Sequence, residues 1–292
     1  MKSKYTSVTI GTFDGVHKGH AALIKRLKAL NLKTVAVVLE KPLKNVSGLI
    51  TTHGEKIGIL SLTGIDEIFV IPPGSEIFNM TAENFLKDFL INRLKAKHIV
   101  VGHDFVFGKN KTGTYGWLRR LAPKLNLRVD LVRAVKCGKT TISSSNIRHA
   151  LKSADIESAA KMLGRNYSFS GVSVKGRGAG REIGFPTINI KTDESKILPQ
   201  GVFVAAVKIN NVLYPAVLNI GRRPTFNAGS EIVPEAHILG AFRKLKRPVK
   251  AEVTLLKKIR AEKKFSSVSF LVKAIKKDIS KANRHFGIKN EA

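Results

Sequence analysis

The sequence of 292 residues has little cysteine, little acid and no long apolar run, and each shortage excludes a class of protein. The single cysteine, Cys137, excludes an intramolecular disulfide and favours a reducing, cytoplasmic environment. No stretch approaches the roughly 18 apolar residues that a membrane-spanning helix needs, and Asp14 comes early. We therefore expect neither a transmembrane segment nor a signal peptide.

Acidic residues number 21 against 51 lysines and arginines, which gives a formal net charge of +30. Such a balance favours anionic partners: nucleic acid, anionic lipid or phosphorylated metabolites. The basic residues are spread over both halves of the chain, and aromatic residues, which a nucleic-acid stacking surface needs, make up only 7%. We interpret most of these charges as solvated surface, and predict no specific nucleic-acid partner and no membrane partner.

The order of predicted elements changes near Gly164. Before it, strand-like and helix-like runs alternate, which predicts a parallel sheet with crossover helices, a Rossmann-like α/β domain over residues 1–164. After it, closely spaced strand patterns end in one helix-like segment, which predicts a small antiparallel β-barrel with a C-terminal helix over residues 165–292. Ligands of open α/β sheets bind beyond the carboxyl ends of the strands, where the strand order reverses.

The stretch "GTFDGVHKGH" (11–20) lies between the first predicted strand and the first predicted helix. Its glycines Gly11, Gly15 and Gly19 predict a tight turn through which backbone can approach a phosphate group at the start of the helix. Phe13 belongs to the same candidate ATP-phosphate site. His17 and His20 are three residues apart, so they share a face if the helix has begun by residue 17. There they can donate hydrogen bonds to polyphosphate oxygens. The alternative is one capping histidine and one solvated histidine.

A second polar cluster, "ISSSNIRHAL" (142–151), has serines at a predicted helix start followed by Arg148. Ser144 and Ser145 are four and three residues before Arg148, so these side chains can face one phosphate together. Ordinary capping by serine beside an exposed arginine is the alternative.

In the second half, Thr187 and Asn189 lie two apart in a strand-like segment, so both point to one face. A hydroxyl and an amide oxygen suit Mg²⁺, which prefers hard oxygen ligands together with substrate phosphates. The preceding glycines, Gly176, Gly178 and Gly180, predict a flap over ATP phosphates, because Pro186 leaves no room for the helix of a dinucleotide-binding fold. A plain glycine-rich hairpin is the alternative.

Several motifs together carry a resemblance to a known family. "HKGH" and "ISSSNIR" are similar to the two signatures of the nucleotidylyltransferase superfamily, with Ser145 where threonine is usual. The further matches "VVGHDFVFGKNKTG" (100–113), "GFPTIN" (184–189), "LNIGRRPTF" (218–226) and "EAHIL" (235–239) resemble the prokaryotic bifunctional riboflavin kinase/FAD synthetase family. The resemblance runs from about residue 7 to residue 286.

This resemblance implies two reactions. A C-terminal riboflavin kinase domain would phosphorylate riboflavin with ATP to give FMN, and an N-terminal domain would transfer AMP from ATP to FMN, giving FAD and pyrophosphate. It implies that His17 and His20, helped by Ser144, Ser145 and Arg148, stabilise the ATP phosphates, and that Asp104 lies near flavin and nucleotide. It also implies that Thr187 and Asn189 hold Mg²⁺ and that Glu235 is the general base.

Two segments depart from the family pattern. "LEKPLKN" (39–45) retains only Pro42 of the usual F-x-P-H-P motif, and "GAFRKLKRP" (240–248) replaces an acidic stretch with basic residues. Both segments touch expected flavin contacts. Two alternatives therefore stay open: a chain that retains one reaction only, most plausibly adenylyl transfer, and a basic nucleic-acid-binding protein built on an inactive enzyme scaffold.

Overall fold

In the first half of the chain, strands alternate with helices, and five of the strands form a parallel sheet, as predicted. The computed structural model describes residues 4–40, 46–176, 178–224, 230–240 and 248–288. The chain divides into two compact units, Met1–Ser144 and Ser145–Ala292. In the described ranges, no helix combines the length and apolar character needed to cross a membrane.

The elements of the first unit follow one another as β1 (Thr6–Gly11), α1 (Lys18–Lys28), β2 (Lys33–Leu39), α2 (His53–Ser61), β3 (Glu67–Ile71), α3 (Ala82–Asn84), a π-helical segment (Phe85–Arg93), β4 (Ala96–Gly102), β5 (Val106–Phe107), β6 (Gly113–Thr114), α4 (Tyr115–Leu121), β7 (Arg128–Val132), β8 (Lys136–Cys137) and β9 (Thr140–Thr141). The sheet order is β3-β2-β1-β4-β7, with every neighbouring pair parallel. The chain runs outward from β1 to β3 and then returns to β4 on the other side of β1. The strand order therefore reverses between β1 and β4, and their carboxyl ends flank the position where such sheets bind ligands.

Apolar side chains cover both faces of this sheet. One cluster includes Val8, Val37, Leu86 and Phe89, and a second includes Phe13, Ala36 and Leu60. Burial on both faces explains why β2 reads as the almost continuous apolar run "KTVAVVL".

The second unit contains α5 (Ser144–Lys152), α6 (Ile156–Leu163), β10 (Ser168–Val174), α7 (Ala179–Glu182), β11 (Ile188–Thr192), β12 (Gly201–Ile209), β13 (Val212–Pro224), β14 (Ser230–Ile238), β15 (Lys250–Arg260) and α8 (Val268–Phe286). Its six strands close into an antiparallel barrel in the order β10-β11-β14-β13-β12-β15. The barrel and the C-terminal helix confirm the predicted fold. Arg260 on β15 ties α8 to the barrel: its Nε and Nη2 each lie 2.9 Å from Oδ2 of the buried Asp278.

The helix α6 packs against β15 of the same unit. Its N-cap Asp155 accepts a hydrogen bond from the Ser158 backbone N–H at 3.0 Å. Hydrogen bonding from Ser158 lowers the pKa of the Asp155 carboxyl, and the charge of Lys258 on β15 adds to this effect. These contacts place α6 with the barrel, whereas the predicted boundary at residue 164 assigns it to the first domain.

Two fragments, residues 145–292 and 165–292, test that boundary. We expect the longer fragment to have a free energy of unfolding higher by about 2 kcal/mol or more, because α6 buries Ile156, Met162 and Leu163 and each such side chain contributes roughly 1.5–3 kcal/mol. Urea titration followed by circular dichroism measures both values. Equal free energies of unfolding would instead support the boundary at residue 164.

Candidate active sites

The loop after β1 lies where the strand order of the parallel sheet reverses. It runs from Thr12 to His17 and leads directly into α1. Two further predicted residues lie at the same sheet edge or on the loop: Asp104 follows β4 by two residues with a strongly exposed side chain, and the Ser144 hydroxyl donates to the Asp14 backbone oxygen at 2.9 Å. The structure thus brings Asp104 and Ser144 to the edge that carries the histidines.

His17 and His20 cap the start of α1 reciprocally. Nδ1 of His17 accepts from the His20 backbone N–H at 3.3 Å, and Nδ1 of His20 accepts from the His17 backbone N–H at 3.2 Å. The two rings stack with centroids 3.7 Å apart, and the buried Phe13 ring lies 4.9 Å from the His20 ring. Both histidines therefore take part in capping, whereas the alternative expected one capping and one solvated histidine. Donation to a polyphosphate stays a prediction.

This arrangement also selects the tautomer of each ring. An imidazole nitrogen that accepts a hydrogen bond carries no proton, so in the neutral form of both histidines the proton is on Nε2. Two parallel rings then hold two Nε2–H donors next to the start of a helix, a position that favours anions. The pair is suited to hydrogen-bonding a polyphosphate.

The loop backbone takes conformations that side chains rarely adopt. The φ angles are +49° at Phe13, +84° at Gly15 and +38° at Val16, all in the left-handed region. For Phe13 and for the β-branched Val16 such values are strained, and they persist only where surrounding contacts enforce them.

Contacts from the segment before α2 enforce this conformation. The buried Asp14 carboxylate accepts from the backbone N–H groups of Ile50 and Thr51 at 2.9–3.2 Å. The Thr51 hydroxyl accepts the Gly15 N–H at 2.9 Å. Thr52 and Glu55 then form the capping box that begins α2. Asp14 is therefore a structural anchor of the loop, a role that its sequence position alone did not indicate.

Ser145 and Arg148 lie on α5, which belongs to the second unit. The helical span confirms that the predicted spacing of three and four residues to Arg148 puts these side chains on one helix face. Ser145 is exposed and Arg148 is half-buried. Their approach to a phosphate bound by His17 stays a prediction.

The barrel presents a row of polar residues across three adjacent strands. Glu235 on β14 pairs with Asn189 on β11 and with Asn219 on β13. Side chains directly opposite in antiparallel strands share a face and lie within contact range. The intervening residues Ile188 and Ala236 are buried on the other face, so the row belongs to the outer face of the barrel. Sequence reasoning missed Asn219, although an amide in the apolar run "VLYPAVLNI" was a usable signal.

The glycine-rich segment lies against the predicted metal pair. A Cβ at Gly176 would overlap the Asn189 side-chain amide, and a Cβ at Gly180 would meet the Phe185 carbonyl oxygen at 2.5 Å and the Thr187 hydroxyl oxygen at 3.5 Å. Only glycine allows backbone to come this close. The flap residues Gly176 and Gly180 are thus adjacent to Asn189 and Thr187, respectively.

One expectation about this segment was wrong. We expected no helix between the glycines and Pro186, yet α7 forms one helical turn there, with Gly178 at φ +86° before it. The turn fits because Pro186 lies four residues beyond its end, too far to clash with it. Next to it, His237 Nδ1 lies 2.9 Å from the Pro186 carbonyl oxygen and its ring contacts Phe185 edge-on, which fixes the approach to β11.

Lysine 56 is a further residue that sequence reasoning did not single out. Its side chain is only 3% exposed and its ammonium group donates to three backbone carbonyls, those of Thr12, Leu39 and Glu40. Burial lowers the pKa of Lys56, partly offset by the charges of Asp14 and Glu40. The signal was a lysine four residues before Leu60, at an apolar position of the predicted helix.

Within the described ranges, no group of three or more His, Cys, Asp or Glu side chains could hold a metal ion. Pro42 and the rest of residues 41–45 lie outside the described residues, as do residues 241–247. The two departures from the family pattern therefore have no structural account.

The first unit has the sheet topology and anion-suited loop of a nucleotide-binding α/β domain, and the second is a closed antiparallel barrel with a polar row under a glycine flap. The FAD synthetase family model matches residues 1–146, and the riboflavin kinase family model matches residues 163–286. The bifunctional riboflavin kinase/FMN adenylyltransferase of Buchnera aphidicola subsp. Schizaphis graminum is 36% identical, over 97% of this chain and 95% of that protein. The enzyme of the same name from Escherichia coli K12 is 32% identical, over 98% and 94% of the two chains.

A solved structure has a similar fold over nearly the whole chain. The crystal structure of a macrolide-efflux protein from Streptococcus pneumoniae matches with a TM-score of 0.86 and 29% identity, covering 97% of this chain and 95% of that chain. Taken with the family matches, these similarities mean that the chain belongs to the bifunctional riboflavin kinase/FMN adenylyltransferase family. It is an enzyme of flavin biosynthesis that uses ATP to convert riboflavin to FMN and FMN to FAD.

Replacement of His17 separates its capping role from its use of the Nε2–H donor. His17→Asn keeps a side-chain acceptor at the N-cap, so we expect a melting temperature near that of the wild type. Adenylyl transfer to FMN should nevertheless fall by roughly 10- to 1,000-fold, because one phosphate donor is lost. His17→Ala should lose similar activity and, in addition, about 1 kcal/mol of stability. Thermal unfolding and FAD formation measure the two effects; full activity of His17→Asn would exclude the donor role.

Proposed function

We propose that the loop after β1 is the ATP-phosphate site of the adenylyl transfer reaction. Its supporting observation is the reciprocal capping of His17 and His20, which puts the proton of each neutral ring on Nε2. During the reaction, an FMN phosphate oxygen bonds to the α-phosphorus of ATP while the bond to the β-phosphate oxygen breaks. Negative charge grows on the departing pyrophosphate, and donors already fixed in place stabilise it at no reorganisation cost.

The same proposal assigns supporting roles to the other predicted residues of this reaction. Gly11, Gly15 and Gly19 allow close approach of backbone, and Phe13 packs behind His20. Ser144, Ser145 and Arg148 would bind further phosphate oxygens from the start of α5. Asp104, at the carboxyl end of β4, would contact flavin or nucleotide.

For riboflavin phosphorylation, we propose Glu235 as the general base. It would take the proton from the terminal ribityl hydroxyl while that oxygen attacks the γ-phosphorus of ATP and ADP leaves. The half-buried Glu235 lies between Asn189 and Asn219 on the neighbouring strands, which limits the orientations of its carboxylate. Gly176, Gly178 and Gly180 would cover the ATP phosphates with backbone N–H groups.

The side chains of Thr187 and Asn189 fit a magnesium ion in this second reaction. They would offer two neutral oxygen ligands beside the flap, the hard donors that Mg²⁺ prefers together with substrate phosphates. A bound Mg²⁺ would neutralise phosphate charge. Thr187 and Asn189 would orient the ATP phosphates toward the hydroxyl that Glu235 deprotonates.

One assay tests both reactions at once. The full chain is incubated with riboflavin, ATP and Mg²⁺, and riboflavin, FMN and FAD are separated by chromatography. FMN followed by FAD is the expected result. FAD formed only from supplied FMN would favour a chain that retains adenylyl transfer alone. Neither product, together with DNA binding that survives physiological salt, would favour the nucleic-acid alternative. A cytoplasmic location stays a prediction.

A pair of substitutions should impair the two reactions separately. Glu235→Gln keeps the side-chain shape but removes the proton acceptor, so riboflavin phosphorylation should fall by roughly 10²- to 10⁴-fold while adenylylation of supplied FMN stays near wild type. His20→Ala should do the reverse. Glu252→Gln, an exposed glutamate on β15, is the matched control for Glu235 and should change neither rate. Equal losses of both reactions in Glu235→Gln would contradict two separate sites.

The metal assignment predicts a magnesium-dependent defect. Thr187→Ala removes one oxygen ligand, so the Mg²⁺ concentration for half-maximal kinase rate should rise about tenfold or more. Thr192→Ala, which removes a hydroxyl from the far end of β11, should leave it unchanged. Initial rates of FMN formation over a Mg²⁺ titration measure both. A rate loss in Thr187→Ala that is the same at every Mg²⁺ concentration would argue against metal ligation.

A further inference from the structure

We propose that Lys56 is a positioning residue for adenylyl transfer: its ammonium group holds the strained loop Thr12–His17 in the conformation that presents the two histidines. The proposal rests on the adenylyl-transfer site proposed for this loop. It concerns a residue that does not itself touch the substrate.

All three N–H groups of the Lys56 ammonium have protein partners. Nζ lies 2.9 Å from the Thr12 carbonyl oxygen, 3.0 Å from that of Leu39 and 3.1 Å from that of Glu40. A protonated lysine has three donors, so none remains for a phosphate. The three carbonyls belong to the carboxyl ends of β1 and β2, and Lys56 thereby joins these two strand ends from α2.

Burying a lysine ammonium costs free energy unless its partners compensate for the lost hydration. Because Lys56 is only 3% exposed, its ammonium group has little hydration, and burial lowers its pKa even though the charges of Asp14 and Glu40 raise it. An apolar side chain would fit the same face of α2 next to Leu60 without this penalty. The charge of Lys56 is therefore best explained by the carbonyls that it binds, which include that of Thr12, the first residue of the loop.

The loop needs an external restraint because its own conformation is strained. Phe13, Gly15 and Val16 all have positive φ, and local sequence preferences oppose this at two of the three. Residues 50–56 restrain it at its first residue and at its middle. Lys56 binds the Thr12 carbonyl, while Ile50 and Thr51 bind Asp14 and Gly15. Because His17 follows Val16 directly, release of Thr12 would displace the histidine pair rather than remove it.

Displacement without loss of the donors predicts a specific kinetic pattern. In Lys56→Met, kcat for FAD formation should fall about 10- to 100-fold, since a misplacement of about 1 Å is enough to cost this much. The KM for ATP should change by less than about threefold, and riboflavin phosphorylation by the same chain should stay within about twofold. Lys28→Met is the matched control, because Lys28 also donates to one backbone carbonyl, that of Thr63 at 3.0 Å, but from an exposed position.

A second measurement does not depend on activity. Amide hydrogen exchange of residues 13–17 should be at least about tenfold faster in Lys56→Met than in wild type, with exchange in α8 unchanged. If wild-type protein made no FAD, the proposed function would fail, while the exchange comparison would still test the restraint. Unchanged exchange and unchanged kcat per folded molecule would overturn the positioning role.

If Lys56→Met does not fold, a second variant tests the same restraint. Thr51→Val removes the hydroxyl that accepts the Gly15 N–H and loosens the same loop at a second point. It should reproduce the fall in kcat and the faster exchange. A Thr51→Val protein with wild-type values of both would reject the restraint by residues 50–56. Equal loss of both reactions in folded Lys56→Met would reject it too, since the effect would then be general.

Discussion

The paired hydrogen bonds between the rings and backbones of His17 and His20 are the contact on which the proposed ATP-phosphate site of the first unit depends. Each Nδ1 accepts a backbone N–H, so α1 begins without a serine or aspartate cap and both neutral rings keep a proton on Nε2. A capping interaction, usually a matter of helix stability, here also prepares two donors for an anion.

That pair holds its position only because the backbone before it is forced into an unfavourable shape. Three residues between Thr12 and His17 have positive φ, and the contacts that maintain them come from residues 50–56, distant in sequence. A buried carboxylate and a buried ammonium, Asp14 and Lys56, both serve this purpose. Their charges would act on the reaction only indirectly, because they hold the loop and the loop carries the two histidines.

In the barrel, the polar side chains are positioned by regular strand pairing. Antiparallel pairing places Asn189, Glu235 and Asn219 side by side without any strained backbone, since directly opposed residues share a face. Here the close contact depends on glycine: Gly176 and Gly180 have no side chain, so the flap can lie directly on Asn189 and Thr187. Precision in one unit comes from restraint of a loop, and in the other from the regularity of a sheet.

The sequence by itself determined much of the fold and part of the two candidate sites. Periodicity predicted the parallel sheet, the barrel and the closing helix, because burial of one or both faces leaves a readable pattern. The glycine and histidine spacing predicted a phosphate loop, and the Thr187 and Asn189 spacing predicted neighbouring oxygen ligands. Only the tertiary structure decided that α6 packs with the barrel, that one helical turn forms around Gly180, and that Lys56 and Asn219 lie beside the two candidate sites. The physical reason is that these features depend on contacts between residues far apart in the chain, which local propensity does not encode.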